Sequence, residues 1–346
     1  MNLYETKTVL AAIEQIKPAN KFLRMMFFPE ASDQTLLSED VLIDSKKGKR
    51  KVAPFVAPKV GGVVVDREGF ITNKITAPRI APERALTIDD LNRRSLGENI
   101  VSTKTPAQRE ASLLGKDIAE LKAMTDRRME LMIRDLLFTG VINVKGYVDA
   151  GSTKTVDQVI DYGINNKFPI KTLWNLKEAN IFADLKDMRK EIVKNSGINP
   201  NILVVSSDVI DVLLDNEKFM KLMDTKNVNV GAIDPKILEG GANYWGRLTA
   251  LGLDIFSYDE WYLDENEEEQ SMVPEGTILM GSKAAGNMRF GLVTQIEKDG
   301  VFSSYEGRYI PKIWANIEAD IKKIRLTTRP VPVPTYLDSW AIAKVK

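Results

Sequence analysis

Residues 105–140 constrain the fold of this 346-residue chain more than any other stretch, because they carry both ends and the apolar stripe of one long helix. Thr105-Pro106-Ala107-Gln108 has the Thr-x-x-Gln spacing of a capping box with proline at the first helical position. That arrangement satisfies otherwise orphaned amide donors and presets φ. Apolar residues then return at helical intervals: Leu114, Ile118, Leu121, Met124 or Thr125, Met129 or Met132, Ile133, Leu136 and Leu137. Gly140 supplies a left-handed stop. The pattern predicts a helix over 106–138, about 50 Å long at about 1.5 Å per residue. A single apolar stripe flanked by abundant charge fits neither a coiled coil, a membrane span nor a helical repeat, which leaves a long helix lying across a sheet.

Composition narrows the chemistry. The chain holds no cysteine and no histidine, which excludes disulfides, thiolate metal sites, a Cys nucleophile and the commonest general base. Enzymes built on carboxylates, Lys or Ser are not excluded. Basic and acidic side chains balance at 48 each, so no global field drives binding to nucleic acid or to an anionic membrane. The distribution is uneven, with ten basic against four acidic side chains over residues 41–84 and thirteen against twenty-two over 173–300. Opposed sections of this kind allow one copy to attach to another; a pair of ordinary solvated surfaces is the plainer alternative. No run of eighteen apolar residues and no basic-then-apolar leader is present, which predicts no membrane span.

Residues 1–37 contain a short helical pattern (Leu10, Ile13, Ile16) and then a dense cluster, Phe22, Leu23, Met25, Met26, Phe27 and Phe28. So apolar a segment must be buried, either on the chain's own core or on a neighbouring subunit. Residues 38–86 alternate β-branched stretches (Val63 to Val65, Ile71 to Ile75) with turn signals, the pattern of a long β-hairpin too poor in large apolar residues to stand alone. Its basic cluster is Lys46, Lys47, Lys49, Arg50 and Lys51, without the aromatic interleaving of a nucleic-acid site.

Two strands are expected over 141–170, then an α+β region over 173–300. Its helices are expected near 176–195 and 208–224, and its strands at Ile202 to Val205, Leu253 to Ser257, Thr277 to Met280 and Phe290 to Ile296. The Pro330 to Pro334 run reads as a sheet edge, and Trp340 to Val345 as a last strand. Gly151-Ser152-Thr153-Lys154-Thr155 fails as a phosphate loop, because Thr153 and Val148 stand where glycines are required. The acidic run from Asp259 to Glu269 lacks the alternating ligands and fixed glycine of a calcium loop and reads as a solvated turn.

Taken together, several segments resemble the lambda-type major capsid proteins, the capsid protein E family, which share the tailed-phage fold named after the phage Hong Kong 97. The arm resemblance lies in Tyr4-x-Thr6, Leu10-Ala11-Ala12-x-Glu14-Gln15 and Phe22-Leu23-Arg24-x-x-Phe27-Phe28. Thr105-Pro106-x-x-Arg109, Asp126-Arg127-Arg128-x-Glu130 and Leu137-Phe138-Thr139-Gly140 are similar to the family's spine helix. Pro274-x-x-Thr277-x-x-x-Gly281, Arg308-Tyr309-x-Pro311-Lys312-x-Trp314, Arg329-Pro330-x-Pro332-x-Pro334, Asp338 and Ala341-x-Ala343-x-Val345 follow in family order. One departure is Glu318-Ala319, where the family pattern has an acidic residue followed by proline.

The resemblance implies an α+β subunit in four parts. These are an N-terminal arm over 1–37, an extended hairpin loop over 38–86, a peripheral domain over 87–172 and 301–334 with spine helix 105–139, and an axial domain over 173–300 and 335–346. Such a subunit would self-assemble through pentamers and hexamers into an icosahedral head around double-stranded DNA, touched without sequence reading. It would be made in the bacterial host cytoplasm and end in the virion capsid, with no catalytic, cofactor or metal site and no membrane partner. Because the arm pattern begins near the first residue, the scaffolding protein would be separate; a portal protein and, optionally, a decoration protein would be further partners. The expected intersubunit contacts are Phe22, Leu23, Met26, Phe27 and Phe28 on the arm and Lys46, Lys47, Lys49, Arg50 and Lys51 on the loop. The competing readings are an α+β enzyme using carboxylates or Lys, and a minor phage structural protein.

Overall fold

The long helix spans Pro106–Thr139 and is bounded as its ends dictate. Thr105 Oγ1 accepts the Gln108 amide at 3.3 Å while the Gln108 side chain accepts the Thr105 amide at 3.0 Å. Gly140 closes the helix at φ 74°, and a Cβ there would stand 2.5 Å from the Ile164 carbonyl oxygen. The structure, a computed structural model, describes residues 21–30, 40–45, 71–92, 105–147, 155–224, 236–237, 241–264, 267–297 and 300–346.

The stripe of this helix serves two cores. Leu114, Ile118 and Leu121 pack on Ile313, Ile324 and Leu326 of a three-stranded antiparallel sheet formed by Ile310–Asn316, Ile321–Thr327 and Glu83–Leu86. Met129, Met132, Ile133, Leu136 and Leu137 continue the stripe into a larger core. Thr125, not Met124, completes the stripe between them; its buried hydroxyl donates to the Leu121 carbonyl at 2.8 Å, while Met124 is exposed.

The larger core lies on one face of a seven-stranded sheet. Its main path runs Trp340–Lys344, Thr277–Gly281, Ile202–Val205, Leu253–Tyr258, Ala242–Leu248 and Met223–Asp224, with Lys236–Ile237 also on Ala242–Leu248. Alternation sorts the side chains. Leu203, Val205, Leu253, Ile255, Ile278 and Met280 meet helices Ile181–Ser196 and Ser207–Asp215. Ile202, Val204, Phe256, Leu279 and Trp340 point to the other face, toward the long helix and residues 22–28.

Three expected elements differ, each for a local reason. The helix expected near 176–195 is Ile181–Ser196, because Asn180 caps it by accepting the Ala183 amide at 3.2 Å. The helix expected near 208–224 is Ser207–Asp215, followed by Glu217–Met220 and the short strand Met223–Asp224. Asn216 is extended there and caps the second piece through the Phe219 amide, so its side chain restarts the helix. The strand expected at Phe290 to Ile296 is two strands. Gly286–Phe290 pairs with Pro330–Pro334, and Val293–Ile296 pairs with Phe302–Tyr305. Prolines at every second position put their missing donors on one side of the strand, leaving the Val331 and Val333 amides for its single neighbour. Where Glu318-Ala319 departs from the family pattern, Asn316 Oδ1 accepts both their amides and forms the turn instead.

The hairpin Val141–Tyr147/Thr155–Asp161 follows the long helix, and Asp40–Ser45 pairs with Ile71–Thr76 over six residues. The expected segments at Leu10 to Ile16, Val63 to Val65 and the Gly151-Ser152 turn lie outside the described residues.

The two faces of the long helix give a direct test. Leu121 is buried and Lys116 is exposed. Leu121→Asp places an unpaired carboxylate in the smaller core at a cost of several kcal/mol and is expected to abolish soluble expression. Lys116→Asp is expected to be tolerated; equal tolerance of both, measured by soluble yield and thermal unfolding, would show that the stripe is not what holds the helix.

Candidate functional site: the docked arm and its ionic cluster

Residues Phe22–Phe27 form a short helix that carries no side-chain cap of its own at Lys21. The long helix supplies one. Glu130 accepts the amides of Leu23 at 2.6 Å and Arg24 at 3.1 Å, the second and third helical positions, where donors lack intrahelical partners. One turn earlier, Asp126 takes the Arg24 guanidinium at 2.9 Å, and both side chains are essentially inaccessible. Arg24 also reaches Met129 Sδ at 3.3 Å and Glu30 at 3.6 Å. The Tyr309 hydroxyl donates to Asp126, Arg308 pairs with Glu30, and Lys122 stands 5.4 Å above the Tyr309 ring.

The aromatic residues of the arm fix the rest of the geometry. Phe22 packs on Phe256 and Tyr258, with centroids at 5.3 and 5.2 Å, and Phe28 meets Trp340 edge-on at 6.4 Å. Glycines make the room: a Cβ on Gly281 would stand 2.8 Å from the Phe27 ring, and one on Gly286 would stand 2.5 Å from Phe28. The Ala284 amide donates to the Met26 carbonyl at 2.9 Å.

The arm cluster packs on the core of its own chain. Phe22, Leu23, Phe27 and Phe28 are at most 3% exposed within the single chain, and Met26 is partly buried against the same core. Each full burial is worth about 1.5–3 kcal/mol, and a side chain already enclosed in its own subunit offers no surface to a neighbour. The intramolecular alternative describes Phe22, Leu23, Phe27 and Phe28 in full and Met26 in part. Lys46, Lys47, Lys49, Arg50 and Lys51 lie outside the described residues.

The grouping of Arg24, Asp126, Glu130 and Tyr309 was missed from sequence, although all four belong to the quoted motifs. Two signals could have found it: a lone arginine inside the apolar run Phe22 to Phe28, and two carboxylates one turn apart beside the helix stripe. Among the described residues no group of three or more His, Cys, Asp or Glu could hold a metal ion, and no helix is long and apolar enough to cross a membrane.

The phage major capsid protein E model matches residues 5–345, that is, nearly the entire chain. The chain belongs to that family. The P21 prophage-derived major head protein of Escherichia coli O6:H1 strain CFT073 is 23% identical over the full length of both chains, as is the major capsid protein of Enterobacteria phage P21. The fold of this capsid protein is shared with a solved prophage capsid protein of E. coli CFT073, at TM-score 0.71 and 16% identity with full coverage of both chains. The capsid of Ralstonia phage GP4 superposes at TM-score 0.54 and 9% identity, covering 96% of this chain and 93% of the other. This chain is thus a phage major capsid protein of the Hong Kong 97-like fold, a structural component of a virion shell.

Charge at the arm makes the capsid subunit pH-sensitive. Burial pushes Glu130 up to about 7, against the pull of Arg24, the two amides and Tyr258. Arg24 is itself opposed by burial, but Asp126, Tyr309, Glu30 and Glu130 together hold it more firmly charged than usual. An unfolded glutamate releases its proton near 4.5, so between about 4.5 and 7 the folded state binds more protons. The contribution of Glu130 to stability therefore falls as pH rises through that window. Relative to Glu130→Gln, the wild-type subunit is expected to lose on the order of 1–3 kcal/mol between pH 5 and pH 7.5, measured by denaturant unfolding. A difference between the two proteins that stays constant with pH would show that Glu130 does not titrate there.

Proposed function

We propose that this capsid protein assembles in the bacterial host cytoplasm, through pentamers and hexamers, into an icosahedral head that encloses double-stranded DNA, and that it performs no catalysis. The observation that carries the reading is the family match over residues 5–345 together with a fold shared over the full length of a prophage capsid protein. A separate scaffolding protein, a portal protein and optionally a decoration protein are its proposed partners, and DNA would meet the inner surface without base reading.

In this proposal residues 1–37 are the arm, 38–86 the extended loop, 87–172 with 301–334 the peripheral domain, and 173–300 with 335–346 the axial domain. The three-stranded sheet on the first half of the long helix supports the peripheral unit, and the seven-stranded sheet with its two outer helices supports the axial one. The loop springs from the paired strands Asp40–Ser45 and Ile71–Thr76, whose Val41 and Ile75 are anchored in the larger core. Its basic cluster, Lys46, Lys47, Lys49, Arg50 and Lys51, is proposed to rest on an acidic surface of an adjacent subunit.

Electron microscopy of the expressed protein, with and without its neighbouring reading frames, tests the shell. Closed icosahedral particles are expected; a stable monomer or dimer with measurable turnover would favour the carboxylate- or Lys-based enzyme. For the loop, Lys47→Glu, Lys49→Glu and Arg50→Glu combined are expected to leave thermal unfolding of the subunit nearly unchanged while lowering shell yield. Partial rescue is expected at high salt, because exposed pairs of about 0–1 kcal/mol are screened. Wild-type yield from this variant at low salt, read by sedimentation, would show that charge does not hold the loop.

A further inference from the structure

The three-stranded sheet buries one face on the long helix and turns the other outward. Alternation places Lys312, Trp314, Lys323 and Arg325 on the outer face, and the register sets Lys312 directly opposite Arg325. Like charges so placed are unfavourable in an isolated sheet. Lys312 Nζ and Arg325 Cζ stand 5.6 and 5.4 Å from the centroid of the Trp314 ring, whose face softens the repulsion without neutralising it. Glu83, the nearby carboxylate, is engaged by Lys323 at 3.0 Å. Arg325 Nε is buried without a hydrogen-bond partner, and burial and then Arg79 weaken the hold of Arg325 on its charge, with Glu83 offsetting them only in part. Among the described residues Lys312, Arg325 and Arg79 make no ion pair.

The complementary surface is on the same chain. The hairpin Trp261–Leu263/Glu269–Ser271 exposes Trp261 (53%) and Leu263 (65%), and Glu267, Glu268 and Glu269 are exposed without an ion pair among the described residues. Its tip is held in shape: the Asp264 amide donates to the Glu268 carbonyl, and Asp264 Oδ1 accepts the Glu268 amide, each at 2.9 Å. The hairpin is anchored where Arg134 donates to the Met272 carbonyl at 3.3 Å, whereas the cationic sheet packs on Leu114 to Leu121. Those positions on the long helix are separated by about 20 Å or more at about 1.5 Å per residue, so the two patches are anchored on different halves of it. Two different complementary patches on each copy give a head-to-tail contact, the kind that closes rings.

We propose that the acidic hairpin Trp261–Ser271 of one subunit docks on the cationic Trp314 face of the next, where Glu267, Glu268 and Glu269 neutralise Lys312, Arg325 and Arg79. Trp261 and Leu263 are buried in the same contact. The proposal rests on the shell-forming role and identifies one of its contacts.

Charge exchange tests it on the full chain. Lys312→Glu with Arg325→Glu, and separately Glu267→Lys with Glu268→Lys, are each expected to raise the subunit concentration needed for assembly about tenfold or more, since several weak pairs are lost and replaced by repulsion. All four changes in one chain are expected to restore assembly. The milder Lys312→Gln with Arg325→Gln removes the opposed cations, so thermal unfolding should stay level or rise while assembly weakens; a merely structural role for this face would not separate the two. Wild-type assembly by both reversed variants, or no recovery in the fourfold variant, overturns the proposal while leaving the shell intact. Tight binding of a short DNA duplex by the wild-type subunit that is lost in Lys312→Glu with Arg325→Glu would also overturn it, in favour of packaged DNA as the occupant. Absence of shells from the wild type under every condition would instead count against the assembly role itself.

Discussion

The helix Pro106–Thr139 is a wall shared by two cores, and the rest of the subunit is arranged around that fact. Its first half is covered by a three-stranded sheet that would have no second layer without it. Its second half closes the larger core, together with residues 22–28 and one face of the central sheet. A helix of this length gains little from intrinsic propensity compared with what it gains by burying its stripe, so each core stabilises the half of the helix that supports the other. The ends are fixed independently, by the capping box at Thr105 and the left-handed Gly140, which leaves little freedom for the stripe to slip between cores.

On this wall the arm is placed by charge as much as by apolar burial. Phe22, Leu23, Phe27 and Phe28 would satisfy many orientations of a short helix against an apolar surface. Glu130 at the start of that helix and Asp126 under Arg24 allow essentially one, because a shift by a single residue would leave two buried carboxylates and a guanidinium unpaired. Buried ion pairs are poor net sources of stability, yet breaking one costs about 3–5 kcal/mol. The cluster therefore acts mainly as a register device. Gly281 and Gly286 complete it sterically, since a methyl group on either would occupy the space of an arm phenyl ring.

Much of this was legible in the sequence where the cause is local. Thr105-Pro106-x-Gln108, the stripe from Leu114 to Leu137, Gly140 and the β-branched run Ile202 to Val205 each specify their element through near neighbours. The misreadings share the opposite property. Asn216 breaks a continuous apolar pattern because its own side chain caps a second helix, and the periodicity of Val209 to Leu213 gives no warning of that. Phe290 to Ile296 divides because its two halves find partners about 28 residues apart in sequence, Pro330–Pro334 and Phe302–Tyr305. The arm cluster was visible as something that must be buried, but whether on its own core or on another copy depends on Gly281, Gly286 and Trp340, more than 250 residues away. Arg24 within that cluster was the informative residue, because a charge inside an apolar run requires a partner in a prepared place.

The distribution of interactions suits a chain that must be finished before it associates. The arm's enclosed phenyl rings and the Arg24–Asp126–Glu130 cluster are buried inside the subunit. Among the described residues the surface carries opposed cations over Trp314, carboxylates near the tip of a hairpin, and exposed apolar residues beside them. A single contact of such groups is worth little in physiological salt. In the proposed shell, repetition would change the balance, since each copy would repeat such contacts with its neighbours. Specific closure would then rest on the rigidity with which the two-core subunit holds its proposed patches, and that rigidity returns to the one helix both cores share.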